Sequence, residues 1–234
     1  MKTPWLPFPF FSALEISGPD RAPFLHGQLT ADIHTLAPHQ RTWAASCNTQ
    51  GRMESLGILE NQGDRFYFYV PTSIARSTWV KLQFFAKFSK VTISLGTLPI
   101  AIKLDADFTS HLTPEFMQDP TAHQASPDLQ NQILHQWIQH QIPWLTPDTL
   151  KRFIPQELGL ERLGALSFDK GCYLGQEIIA RLHYKGSLKT HMVSFEYPIA
   201  QIPKALGEVV CSIEMGGRVY GLALRPKAAN PHAI

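Results

Sequence analysis

Eight residues, Lys170-Gly-Cys-Tyr-Leu-Gly-Gln-Glu177, crowd an unusual density of functional groups into one short stretch of a 234-residue chain. Two closely spaced glycines, Gly171 and Gly175, let backbone approach backbone or a ligand. Cys172 is a candidate nucleophile or redox thiol, because Lys170 and the N-terminus of a following helix both favour a thiolate. An inert buried thiol is the other reading of this residue. From Lys170 to Lys189 the cations Lys170, Arg181, Lys185 and Lys189 stand against one anion, Glu177, with Tyr173 and Tyr184 interspersed. This is the local basic, aromatic patch of the chain, of the kind a nucleic acid binds; a solvated helix face is the plain alternative.

Other chemistries lack their residues. The closest histidine pairs, His34 with His39 and His135 with His140, are five apart, a spacing that does not bring both onto one helical face, so no tightly bound metal is expected. No G-x-x-x-x-G-K-[ST], G-x-G-x-x-G or G-x-S-x-G run occurs, which removes the usual phosphate cradles and the hydrolase elbow. Cys47, Cys172 and Cys211 are odd in number and far apart, so reduced thiols and a cytoplasmic location are expected. A net charge of +2 predicts no polyanion partner by itself. No apolar run reaches the roughly 18 residues a membrane helix needs. Pro4, Pro7 and Pro9 break the apolar N-terminal stretch, which therefore reads as part of the fold and not as a secretory leader.

The elements that must position the motif read as α+β. Ser17-Gly-Pro-Asp20 looks like a helix start with Ser17 as cap. Extended runs at 43–46, 53–59 and 66–70, separated by turn clusters, predict an antiparallel meander. Thr72 or Ser73 then caps a helix whose Val80, Phe84 and Phe88 lie four apart on one face. Alternation predicts strands around Val91, Ile93 and Leu95 and through Leu98, Ile100, Ile102 and Leu104, hinged at Gly96. Residues 105–127, interrupted by prolines, read as a loop or linker and a subdomain boundary. A second amphipathic helix opens at Asp128, and residues 187–234 form a small β unit.

Residues 170–177 resemble the KGCYTGQE signature of the YgfZ group, folate-binding relatives of the glycine-cleavage T-protein; Ile178-Ile-Ala-Arg181 and Gly186 continue the fit. Ile16 to Asp20, Phe24 to Asp32, Gly51 to Met53, Phe88 to Val91, Phe153 to Gln156 and Gly164 to Phe168 follow in the same order, so the resemblance spans residues 16–186. It implies a T-protein-like α+β fold around a central cavity for tetrahydrofolate or a derivative over residues 1–186, with a C-terminal β-barrel, here shortened, over 187–234. It implies support of iron-sulfur client proteins and a link to tRNA modification, and leaves open whether any reaction is catalysed. Carried over by position, Lys170, Gly171, Tyr173, Gly175, Gln176 and Glu177 bind the cofactor and Cys172 is the reactive group. A pterin needs aromatic faces and its glutamate tail needs cations. Phe11 and Trp137 are the stacking candidates, with core packing as their alternative, and Arg181 and Lys185 are candidates for the tail.

The chain departs from the family in two places. Leu174 replaces the signature's threonine, and Gln141-Ile-Pro143 stands where Gly-x-Pro is expected. Two other functions compete with this reading. A true aminomethyltransferase would carry paired aspartates where this chain reads Arg52-Met-Glu-Ser55, and Glu54 falls one residue early, on the other strand face. A folate-independent RNA-binding module would use the 170–189 patch, and its affinity would fall steeply with salt.

Overall fold

A computed structural model describes residues 5–97, 99–103, 114–119, 126–201, 203 and 206–227. The expected meander is present: β-strands β1 (Leu6–Pro7) and β2 (Phe11–Ser17) and helix α1 (Arg21–Gln28) precede β3 (Arg41–Cys47), β4 (Met53–Asn61) and β5 (Arg65–Pro71). Helix α2 (Thr72–Ala86) and strand β6 (Thr92–Leu95) complete the first half. Five of these strands form one antiparallel sheet in the order β3-β4-β5-β2-β6. Strand β7 (Ile100–Lys103) leaves that sheet and pairs with β1 and with β8 (Glu115–Gln118). Helix α3 (Pro127–Gln139) follows, then irregular chain, then helix α4 (Gln176–Lys185). Strands β9 (Thr190–Pro198), β10 (Glu208–Met215) and β11 (Arg218–Pro226) close the chain as an antiparallel sheet in the order β10-β11-β9.

Several local expectations are corrected. Ser17 ends β2 instead of capping α1; Asp20 occupies the cap position and turns its carboxylate to the Lys90 backbone N–H at 2.7 Å. Pro71 precedes α2, and the Thr72 hydroxyl donates to the Pro9 carbonyl instead of capping. The helix expected to open at Asp128 begins one residue earlier, at Pro127, and Ser126 caps it, accepting from the backbone N–H groups of Asp128 and Leu129. The face of α2 is the reverse of the expected one. Ile74, Ala75, Thr78, Leu82 and Ala86 are buried, while Val80 and Phe84 are 50 and 62% exposed and Phe88, just past the helix end, is 98% exposed. Both stripes are apolar at helical spacing, so the pattern alone does not choose between them; the covering sheet does. Within the segment read as a linker, residues 115–118 form a strand; most of the remainder, like Leu98 and Leu104 of the expected strand, lies outside the described residues.

One main apolar core runs from Phe8 to Leu224 and takes in side chains of the central sheet, α3, the irregular chain at 142–165 and the C-terminal sheet. A smaller cluster, Phe195, Leu206, Val219 and Ala223, sits within the terminal β unit. The described residues of the expected barrel thus form a three-stranded sheet that shares the main core through Val210, Cys211, Ile213, Leu222 and Leu224.

Candidate functional site

The loop 170–175 is built between two parts of the chain far from it in sequence. On one side, Lys170 is 8% exposed and donates to three backbone carbonyls, those of His26 at 2.5 Å, Leu29 at 2.7 Å and Ala31 at 2.8 Å. These include carbonyls that the end of α1 leaves without helical partners. Burial pushes the Lys170 ammonium down to about 8, with the Asp32 carboxylate opposing. Thr30 reinforces the same seam: its hydroxyl donates to the Ala165 carbonyl and accepts from the Ala45 N–H. The runs 24–32 and 164–168 therefore meet across more than a hundred residues of chain.

On the other side, the loop is pressed against the β3–β4 turn. Gly175 caps α4 with φ +85°, a left-handed conformation that favours glycine. A Cβ there would lie 2.4 Å from the Asn48 carbonyl oxygen and 3.0 Å from Gly51 Cα. Gly51, with φ +71°, returns the contact against Ile178. Gln176 ties the loop to itself, accepting from the Tyr173 N–H and donating to the Lys170 carbonyl. Gln156, from the 153–156 run, donates to the Ile179 carbonyl and fixes α4 from behind.

What this framework presents to solvent is Cys172, an exposed free thiol. It opens onto a cavity of about 460 Å³ lined by Thr49, Cys172, Tyr173, Leu174, Gly175, Gln176, Glu177 and Ala180. That volume lies within the range of small-molecule sites, about 300–1,000 Å³. Leu174, in place of a threonine, gives this wall an apolar side chain. Tyr173 is largely buried, its ring lies 4.9 Å from the Lys170 ammonium, and its hydroxyl is buried without a hydrogen-bond partner. Burial raises its ionisation well above the ordinary range. Glu177 sits in the first turn of α4, at the positive end of its dipole. A second hollow of about 330 Å³, lined by Ala180, Arg181, Tyr184 and Lys185, adjoins the first through Ala180. Arg181, Tyr184 and Lys185 are exposed, so the cationic stretch is a groove wall along α4.

The site residues expected from sequence divide accordingly. Cys172, Tyr173, Gly175, Gln176 and Glu177 line one cavity, and Arg181 and Lys185 the next. Lys170 is spent on backbone carbonyls, and Gly171 lies against His26. Phe11 and Trp137, 2 and 0% exposed, belong to an aromatic cluster with Phe8 and, for Trp137, Trp43, at centroid distances of 5.6 to 6.0 Å. Neither lines the cavities beside the motif. The Trp137 indole N–H is nonetheless buried without an acceptor.

Two features were missed. Glu54 is held by Lys81 at 2.6 Å and Lys151 at 3.2 Å. Burial alone would raise its pKa, but the two lysines outweigh that and hold it below the usual carboxylate range. Lys81 also donates to the Cys47 carbonyl and to Ser46 Oγ. The second is a histidine pair the spacing did not suggest: the rings of His26 and His34 lie 4.2 Å apart and are tilted by 31°, and His26 Nδ1, without a hydrogen-bond partner, faces Asp32 Oδ1 at 3.4 Å. Among the described residues, no group of three or more His, Cys, Asp or Glu is placed to hold a metal ion, and no helix is long and apolar enough to cross a membrane.

No family model matches the chain. Its sequence is 31% identical to an uncharacterized protein of Haemophilus influenzae, covering 90% of this chain and 80% of that one. It is 27% identical to the tRNA-modifying protein YgfZ of Serratia proteamaculans, with coverages of 92 and 77%. It is 31% identical to that of Photorhabdus laumondii, with coverages of 81 and 69%. Among solved structures, aminomethyltransferase T of the glycine cleavage system from Bartonella henselae superimposes with a TM-score of 0.72 over 95% of this chain and 78% of that one, at 12% identity. The fold is therefore that of a glycine-cleavage T-protein. Motif, fold and sequence identity agree, and the chain belongs to the YgfZ family.

Proposed function

We propose that this protein is a folate-binding accessory factor of the cytoplasm that supports iron-sulfur cluster assembly or maintenance in client enzymes, tRNA-modifying enzymes among them. The observation that carries the reading is the continuity of two cavities along α4. One is lined by the motif from Cys172 to Glu177, and the next, through Ala180, is walled by Arg181 and Lys185. A reduced folate is a flat pterin with an anionic tail, and the first cavity has the size for the pterin and a largely apolar lining that carries Gln176 and Glu177. Arg181 and Lys185 supply the charge for the tail. A reduced folate carries one-carbon units on its ring nitrogens. The chain's own part is to orient the pterin beside Cys172 and to hold the tail.

Within this reading Lys170, Gly171 and Gly175 shape the loop, while Tyr173, Gln176 and Glu177 contact the ligand. Phe11 and Trp137 serve as the packed core of the first half instead of the stacking surface. The name of the relatives, tRNA-modifying protein, supports the link to tRNA modification. The test is complementation in cells lacking this protein, read as the activity of an iron-sulfur enzyme that modifies tRNA. The wild type is expected to restore it and Cys172→Ser to fail. Full rescue by Cys172→Ser would remove the thiol's role, and no rescue by the wild type would remove the client class. The exposed Arg181, Tyr184 and Lys185 also favour a second reading, an RNA-binding groove, which predicts affinity for RNA that collapses with salt.

A further inference from the structure

We propose that the outer face of α2 lies on an anionic lipid surface, with Phe84 and Phe88 entering the acyl boundary and Arg76, Lys87 and Lys90 resting among the phosphate headgroups. The inference is independent of the folate site, which uses none of these residues. Its apolar half is a row at helical spacing: Val80 and Phe84 are exposed, and Phe88 almost wholly so. Lys87 keeps a right-handed helical backbone after Ala86, so Phe88 continues the row past the end of α2. Single exposed hydrophobic residues are ordinary, but a contiguous row of them marks a contact surface. Phe88 also opens a family-like run, Phe88 to Val91, that neither cavity along α4 uses.

The electrostatic half is a one-signed charge. Between Asp64 and Asp105 the sequence carries Arg65, Arg76, Lys81, Lys87, Lys90 and Lys103 and no acidic residue. Arg65 is paired with Glu15 and Asp64, Lys81 with Glu54 and Lys103 with Glu115. Arg76, Lys87 and Lys90 are exposed and form no ion pair with a described residue. Two of them are held against aromatic rings of the same helix: the Arg76 guanidinium lies 4.9 Å from the Trp79 ring, and the Lys87 ammonium 5.2 Å from the Phe84 ring. The acidic group placed at this end is Asp20, whose carboxylate accepts from the Lys90 backbone N–H at 2.7 Å. One carboxylate against these cations leaves the face positive.

A helix face that is apolar along its ridge and cationic at its edges complements a bilayer with anionic headgroups. A second copy docked by the same face would set Arg76, Lys87 and Lys90 against their own kind, which is unfavourable. A nucleic acid would need free ring faces to stack on, whereas Phe84 has Lys87 over its ring and Phe85 edge-on at 5.3 Å. The row stands on the convex side of a helix, so a fluid acyl boundary receives it without a preformed groove. Because the opposite face of α2 is buried in the core, the helix lies on the membrane and does not cross it.

The experiment is cosedimentation of the intact chain with vesicles of phosphatidylcholine, either alone or mixed with phosphatidylglycerol in equal parts, at low and at physiological salt. The wild type is expected to bind the mixed vesicles, to bind phosphatidylcholine alone far more weakly, and to be released as salt rises. The double variants Phe84→Ser, Phe88→Ser and Lys87→Glu, Lys90→Glu should each lower the partition coefficient on the order of tenfold or more. Both should unfold at the wild-type temperature, because the four side chains are exposed. Arg181→Ala, Lys185→Ala, which removes the cations along α4, should bind as the wild type does. Phe88→Trp reports insertion: its added emission should shift to the blue on the mixed vesicles. No binding to the mixed vesicles at low salt would overturn the proposal. So would binding that survives the phenylalanine substitutions, or a tryptophan emission that does not shift, since either reports surface charge alone. A dimer in sedimentation equilibrium that the same substitutions dissolve, without vesicle binding, would give the face to a second copy and overturn it as well.

Discussion

Replacing Gly175 by alanine isolates the junction that holds the motif loop in place. The residue has φ +85°, where a side chain costs about 1–2 kcal/mol. The new Cβ would also stand 2.4 Å from the Asn48 carbonyl, 3.0 Å from Gly51 Cα and 3.2 Å from Cys47 Cβ. Two of these are backbone atoms that cannot rotate away, and relieving such overpacking costs about 1–3 kcal/mol more. The sum is about 3 kcal/mol, which for a chain of this size lowers Tm by roughly 6–12 °C. Gly159→Ala is the matched control, because Gly159 is also left-handed at φ +68° but has no heavy atom within 4 Å of its Cβ position. It should cost about 1 kcal/mol, or roughly 2–4 °C. Thermal unfolding followed by circular dichroism reads both. Equal losses for the two variants would refute the claim that close packing of the α4 cap onto the 48–51 turn builds the site.

Three further outcomes follow from the packing and charge. Leu82→Ala should cost about 2–5 kcal/mol in urea unfolding, whereas Phe88→Ala should stay within about 0.5 kcal/mol, since only the first is buried. The reverse order would restore the helix face expected from sequence. Lys170→Met should destabilise by about 3 kcal/mol or more, because three backbone carbonyls lose a charged donor; a neutral result in the same assay would mean that water replaces the ammonium. Glu54 has a carboxylate pKa below its unfolded value, so its contribution is present above about pH 4.3 and is lost as pH falls through the folded value. The stability gap between wild type and Glu54→Gln at pH 7 should therefore close on acidification below about pH 4, and a gap independent of pH would contradict the pairing with Lys81 and Lys151.

The legibility of this chain varied with how local the deciding physics was. Strands β3, β4 and β5 announced themselves through β-branched and aromatic runs cut by Asn- and Gly-rich turns, and each forms where those turns require. The motif loop and α4 were equally visible, since Gly175 ends one element and starts the next. The buried face of α2 was not, because its two apolar stripes differ only in what covers them. Ser17 carried a cap's chemistry, yet pairing with Arg65 and Thr92 in the sheet claims it as a strand residue. Lys170 looked like a ligand cation until the carbonyls from the end of α1 were in view, and those lie about 140 residues earlier. The contacts of His26 with Asp32 and His34 bridge a turn and have no helical or strand period, so only the inclusion of residues 24–32 among the family-like runs pointed to them.

The central claim is a folate site along α4, and calorimetric titration with tetrahydrofolate at low and high salt tests it most directly. The wild type should bind saturably with an affinity that changes little with salt, and an Arg181→Ala, Lys185→Ala double variant should bind more weakly while unfolding at the same temperature. Absence of binding at millimolar ligand would leave the T-protein fold without its cofactor and contradict the account.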